Sequence, residues 1–214
     1  MSSLQVKGIL FDLDGVLVES TAGVARVWRE WAVAHNLDPA IAEHTAHGRR
    51  AIETVRLLAP RLDAEVELRE LERREIEESY DAFAYPGARE LLASLPPERW
   101  AIVTSGTRCL ARHRLNIAGL PIPERFVTGT EMEVGKPHPA PYLRGAKLLG
   151  LWPPSCVVIE DAPNGLRSAA AAGIPALAVP TTYPAEELTS ALAILPALSA
   201  LHAQVEEDSL HLEW

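Results

Sequence analysis

The chain has only two cysteines in 214 residues, Cys109 and Cys156, with neither metal-binding nor redox spacing. That usage suits a reducing cytosol, with both thiols serving as small buried apolar groups. An excess of positive charge is also missing: 20 Lys and Arg face 29 Asp and Glu, a formal net charge of −9. This balance argues against nucleic acid or an anionic membrane as the main partner. A phosphorylated small molecule stays compatible with it, because a local cation can reverse the field at one site. No apolar run is long enough to span a membrane. The early apolar run is short and broken by Asp12, which does not match a signal peptide, so a cytoplasmic location is expected. Internal repeats and low-complexity segments are absent.

Apolar residues make up 48% and charged residues 23%, ordinary for a globular protein. The length accommodates one large domain, or one domain with a small insert. Val6, Ile9, Leu10 and Phe11 read as a buried strand that stops at Asp12-Leu13-Asp14-Gly15. Strand alternation lets Asp12 and Asp14 share one side while Leu13 stays with the core, and Gly15 permits the sharp exit. From Ser20 to Phe83 the spacing is helical: residues 22–36, 40–46, 50–59 and a charged helix over 63–82 capped by Asp63. Trp28 and Trp31 lie on the apolar stripe of the first of these and belong to its core. From Tyr85 the chain alternates: helix 87–94, strand 101–104, helix 107–117, strand 125–128, helix 139–149, strand 156–159, helix 163–172, strand 176–179. Helices are expected at 184–191 and near 197–206, and the final HLEW is left unassigned. The alternation predicts an α/β fold, a parallel sheet with helices on both faces and an all-helical block inserted in the chain.

Four strand ends carry polar residues. Asp12 and Asp14 follow the first strand. Thr104-Ser105-Gly106-Thr107 follows the second and opens a helix, where hydroxyls and free N–H groups make an anion site or a plain N-cap. Lys136, between Gly135 and Pro137, is either an exposed loop residue or an ammonium reaching into a pocket. Glu160-Asp161 ends a buried strand at a helix start, where acidic residues also suit the helix dipole. If the strands are parallel, all four ends face one edge of the sheet. That edge then holds carboxylates for a hard cation such as Mg²⁺, donors for phosphate oxygens and one ammonium, which is the equipment of phosphoryl transfer.

The ordered segments FDLDG, VTSGT, GKPHP and IEDAPNG resemble the haloacid dehalogenase superfamily, specifically its Mg²⁺-dependent phosphatase branch. The resemblance covers nearly the whole chain and implies a Rossmann-like core domain, a parallel sheet flanked by helices, from residues 1–19 and 84–214, with an inserted all-helical cap domain over 20–83. It implies Asp12 as nucleophile, Asp14 as general acid/base, Ser105 with the Gly106 N–H as phosphate holder, and Lys136 as charge-offsetting cation. Asp12, Asp14 through its carbonyl, Glu160 and Asp161 would form the metal site, Glu160 directly or through water. VTSGTR and HGRRAIET resemble the members acting on small sugar and polyol phosphates, which places Glu19, His47, Gly48 and Arg50 toward the substrate. A small phosphorylated metabolite, a monomer or small homo-oligomer, and no nucleic acid or membrane are expected. A β-phosphoglucomutase-type phosphomutase and a phosphoglycolate phosphatase-like activity are the alternatives.

Overall fold

The computed structural model describes residues 2–214, and among them the chain forms eleven strands and eight α-helices. In chain order these are β1 (Ser3–Val6), β2 (Gly8–Phe11), β3 (Val18–Glu19), α1 (Thr21–Ala34), α2 (Pro39–Ala46), α3 (Ala51–Leu58), α4 (Ala64–Glu77) and β4 (Phe83–Ala84). There follow α5 (Ala88–Ser94), β5 (Trp100–Val103), α6 (Arg108–Ile117), β6 (Phe126–Val127), α7 (Ala140–Leu148), β7 (Cys156–Glu160), α8 (Pro163–Ala171), β8 (Ala176–Ala178), β9 (Ala193–Ile194), β10 (His202–Val205) and β11 (Leu210–Glu213).

Six strands make one parallel sheet in the order β6-β5-β2-β7-β8-β9. Every residue of β2, β5 and β7 is buried, as a sheet covered on both faces requires. Alternation sorts their side chains. Ile9, Phe11, Ile102 and Ile159 pack with Leu91 and Leu92 of α5 and Leu115 of α6. Leu10, Val103 and Val158 pack with Tyr142 of α7 and Leu166 of α8. The chain runs outward from β2 to β5 and β6, then returns to lay β7 on the other side of β2. The reversal leaves a crevice at the carboxyl ends of β2 and β7, where open α/β sheets bind ligands.

Helices α1–α4 are built between β3 and β4, two short strands paired antiparallel (Val18↔Ala84, Glu19↔Phe83). They carry a core of their own from Val27, Trp28, Trp31, Val55 and Leu71. Asp38 and Asp63 cap α2 and α4 by accepting backbone N–H bonds.

The structure corrects the tail. The expected helix at 184–191 is a single 3₁₀ turn, Ala185–Glu187, leading to β9. The one near 197–206 is a 3₁₀ turn at Leu198–Ala200 followed by β10. The HLEW segment runs into β11, the middle strand of an antiparallel sheet β1-β11-β10 (Leu4↔Leu212, Ala203↔Leu212). Leu198 and Leu201 mimic helical spacing, but pairing with β11 overrides it. The first apolar run is likewise split, with β1 in the small sheet and β2 in the large one. Cys156 is buried as expected, whereas Cys109 is exposed near the start of α6.

Leu212 is fully buried against the main core. Leu212→Ala should cost about 2–5 kcal/mol of stability, as buried Leu truncations do. Urea unfolding measures this, and a cost near zero would show that the terminal sheet is an ornament.

Candidate functional site

Asp12 follows the last residue of β2 and keeps its N–H in the ladder by donating to the Ile159 carbonyl (3.0 Å). Its side chain lies beside those of Glu160 and Asp161 at the end of the neighbouring β7. One oxygen of each of Asp12, Glu160 and Asp161 falls within 4.8 Å of the others. Gly15, at φ 80°, turns the chain away; a Cβ there would lie 1.9 Å from Asp161 Oδ2. An L side chain is therefore excluded twice, by backbone and by space.

Lys136 is 1% exposed, which settles it as an inward-facing residue. Its Nζ lies 2.7 Å from Glu160 Oε1 and 3.1 Å from Asp12 Oδ1. Glu160 is saturated: Oε1 also accepts the Tyr142 hydroxyl (2.7 Å), and Oε2 accepts the N–H groups of Asp161 (3.0 Å) and Ala162 (3.1 Å). Gly165 makes the room, since a Cβ on α8 would meet the Glu160 carboxylate at 1.6 Å. Glu160 thus anchors Lys136.

The charges do not balance. Three buried carboxylates face one ammonium, so ionising all three would leave two negative charges uncompensated. Burial, opposed by Lys136, pushes the Asp12 carboxyl up to about 7. Asp161 is raised well above the usual range by burial and by its acidic neighbours. Lys136 is held protonated by Asp12 and Glu160 against its own burial. An all-oxygen cluster short of two positive charges fits a hard divalent cation, for which Asp12 and Asp161 have oxygens to offer.

Ser105 and Gly106 follow β5. The N-cap of α6 is Thr107, which accepts from the Leu110 N–H, so Ser105 is free of that duty. The Ser105 hydroxyl instead donates to the Gly48 carbonyl (3.2 Å), and the Gly106 N–H donates to Thr104 Oγ1 (3.0 Å).

Helices α1, α3 and α4 roof a cavity of about 930 Å³ over these groups. Asp12, Asp14, Ser105, Gly106 and Asp161 line its floor, and His47, Gly48 and Arg50 its walls. Burial lowers the His47 pKa, favouring the neutral ring. Arg50 is already engaged: Nη1 donates to the Glu133 carbonyl (2.9 Å) and to Glu53 (3.2 Å), while Glu53 accepts the Gly135 N–H (2.8 Å). It fastens α3 to the loop that carries Lys136. Glu19 is not brought to the cavity. One of its oxygens accepts the Thr21 N–H (2.9 Å) and hydroxyl, and the other the Tyr85 hydroxyl, across the β3–β4 junction.

Sequence reasoning missed Arg114 and Glu75. Arg114 of α6 is 3% exposed, with Nη1 2.9 Å from Asp14 Oδ1 and Nη2 2.6 Å from Glu75 Oε2 of α4. Burial pushes the Glu75 carboxyl up while Arg114 pulls it down. The available signal was a charge on an apolar stripe: Arg114 stands among the buried Leu110, Ala111 and Leu115, and Glu75 one turn after Leu71. Four buried side-chain atoms lack partners among the described residues: Arg49 Nε, His113 Nε2, Arg114 Nε and Thr182 Oγ1. All four residues line the cavity.

Known proteins resemble this chain in sequence and in fold. The chain is 47% identical over 181 residues to hexitol phosphatase A of Escherichia coli, covering 82% of this chain and 84% of that one. It is 37% identical over 194 residues to glycerol-1-phosphate phosphohydrolase 1 of Saccharomyces cerevisiae, covering 85% and 77%. Among solved structures, a hydrolase from Pseudomonas syringae matches with a TM-score of 0.82 at 27% identity, covering 90% of this chain and 94% of that one. A HAD family hydrolase from Deinococcus radiodurans R1, with bound phosphate and sodium, matches at 0.67 and 29% identity, covering 91% and 92%. The family model described as haloacid dehalogenase-like hydrolase matches residues 6–173. With the fold, the strand-end carboxylates and these relatives in agreement, the chain belongs to the haloacid dehalogenase-like hydrolase family.

Proposed function

We propose that this enzyme hydrolyses the phosphate monoester of a small sugar or polyol, with Asp12 as nucleophile and Mg²⁺ as cofactor. The observation that carries the reading is the roofed cavity with Asp12 and Asp14 on its floor and Lys136 buried behind Asp12. Helices α1–α4 act as a cap on the remaining core. Asp12 attacks phosphorus, the bond to the ester oxygen breaks, and Asp14 gives its proton to the departing alcohol. Asp14 then takes a proton from water, whose oxygen attacks the aspartyl-phosphate and frees phosphate and Asp12. Lys136 offsets the charge gathering on Asp12 and on the transferred group. Ser105 and Gly106 hold phosphate oxygens, exchanging their present partners Gly48 and Thr104. Asp12, Asp161, the Asp14 carbonyl and Glu160, directly or through water, are the groups that would hold Mg²⁺, which would supply charge neutralisation to the phosphate.

Two relatives at 47% and 37% identity are named for hydrolysis of hexitol and glycerol phosphates, which supports a polyol ester over a hexose mutase substrate. Release of free phosphate from hexitol, glycerol and glycolate phosphates separates these readings, since a mutase returns an isomer instead.

Asp12→Asn should lower phosphate release by about 10⁴-fold or more while leaving the melting temperature within a few degrees, because the nucleophile is lost and its shape is kept. Retained wild-type turnover would remove Asp12 from its role.

Metal and proton compete for the same carboxylates. The folded, metal-free protein holds a proton on Asp12 up to about pH 7, which the unfolded chain releases near pH 4. That group's contribution to stability therefore falls as pH rises through this window. Mg²⁺ at 100 times its Kd should contribute about 2.7 kcal/mol, which for this chain length is about 5–10 °C in Tm. The gain should be full at pH 8 and much smaller at pH 5. Chelation should stop turnover. Equal stabilisation at both pH values would contradict the assignment.

Arg50→Ala should loosen the seating of α3 over the Lys136 loop and raise KM several-fold, leaving the Mg²⁺-induced shift in Tm unchanged. Unaltered kinetics on the best ester would reduce Arg50 to a surface fastener.

A further inference from the structure

Arg114 joins two parts of the molecule through two carboxylates. Asp14 belongs to the core and Glu75 to α4 of the helical block, and both touch the same guanidinium, at 2.9 Å and 2.6 Å. The second oxygen of Glu75 accepts the Trp28 indole N–H of α1 (3.2 Å), while Asp14 Oδ1 also accepts the Ser20 hydroxyl (2.6 Å). A continuous chain, Trp28–Glu75–Arg114–Asp14–Ser20, runs from the core of the helical block to the group that must deliver a proton. All five residues line the cavity.

As a fastener this arrangement is poor. Taking the Arg114 guanidinium and the Glu75 carboxylate out of water costs most of what their attraction returns, and an apolar contact would join α4 to α6 as well. What a guanidinium adds is direction, because its planar fork fixes the angle between its two partners. Here one arm of the fork is set by Glu75 and the other points at Asp14.

We propose that Arg114 is a positioning residue for Asp14, and that Glu75, oriented by Trp28, sets Arg114 from the helical block, so that the proton donor is aligned only while that block is seated on the core. The proposal rests on the assignment of Asp14 as acid/base. If the block lifts, Glu75 leaves with α4, the fork loses one anchor, and Arg114 no longer holds Asp14 at a fixed angle.

The test uses the leaving group. An alkyl alcohol needs a proton to depart, whereas p-nitrophenolate leaves without one. Single-turnover release of the leaving group, glycerol or p-nitrophenol, reports the first step alone. It is measured with glycerol phosphate and p-nitrophenyl phosphate for the wild type, Glu75→Gln, Arg114→Met, the double variant Arg114→Met/Glu75→Met and Asp14→Asn. Glu75→Gln keeps an acceptor for Trp28, and the double variant leaves no orphaned buried charge, so at least one variant keeps the fold, checked by its melting curve. The expected result is a rate lower by about 10–100-fold on glycerol phosphate, a fraction of what a general acid supplies. On the nitrophenyl ester the loss should stay under about threefold, with KM little changed. Asp14→Asn should show the same contrast, larger. Equal losses on both esters mean a structural role only, a rise in KM alone means a substrate contact, and no change means an inert pair; each overturns the proposal. Asp14→Asn with no leaving-group contrast refutes the acid/base assignment itself, and the positioning role with it. Contrast in Asp14→Asn but not in the Arg114 and Glu75 variants refutes only the positioning role.

Discussion

The buried ammonium of Lys136 is the constraint around which the rest of the site is arranged. An unpaired cation at that depth would lose its proton or unfold its surroundings, and removing one partner of such a pair costs about 3–5 kcal/mol. Glu160 meets that demand and is itself held by Tyr142 and two backbone N–H groups. Each requirement reaches further into the fold. Tyr142 must sit on α7 against the sheet, Gly165 must leave room on α8, and β7 must lie beside β2 so that Glu160 and Asp12 share the ammonium. With Lys136 satisfied largely by Glu160, its remaining pull on Asp12 does not cancel the burial of that carboxylate. The site is left with a deficit of positive charge facing an open cavity, and that deficit suits a divalent cation.

The helical block supplies what the sheet cannot. Strand ends present side chains on one rim but leave it open to water, in which charges interact weakly. Roofing the rim with α1, α3 and α4 lowers the local dielectric, strengthens the attractions on Asp12 and limits the water that reaches the reacting atoms. The block has its own apolar core around Trp28 and Trp31. It is joined to the rest covalently only at the β3–β4 pair. Glu19 sits there, and its carboxylate ties the junction together through Thr21 and Tyr85.

Much of the catalytic rim was legible because it is local in sequence. A β-branched or aliphatic run that stops at an acidic residue says both where a strand ends and what it carries, as at Phe11-Asp12 and Ile159-Glu160. The parallel order then gathers those ends without further information. Non-local pairing was not legible. Leu4 faces Leu212 across almost the whole chain, and nothing near residue 212 announces that partner; the apolar spacing around Leu198 suggested a helix instead. The Arg114–Glu75 pair is intermediate. Each charge interrupts a helical apolar stripe, which marks both as buried, but which two stripes meet depends on how α4 docks against α6.

Docking and chemistry are consequently inseparable in this chain. The contacts that seat the block fall on loops and helices that also carry the groups proposed to react or to hold phosphate: Gly48 on Ser105, Arg50 and Glu53 on the Lys136 loop, Glu72 on Thr107, and Glu75 on Arg114 and so on Asp14. A ligand too bulky for the cavity must hold the block away and break the same bonds that place those groups. It is then disfavoured in the chemical step as well as in binding. Selection by transition-state alignment discriminates where apolar contacts differ by only one carbon unit, worth about 1–3 kcal/mol. The hydroxyl-bearing esters proposed for this site differ among themselves by such small units. A roof seated through polar contacts can therefore separate them, where a preformed apolar pocket would not.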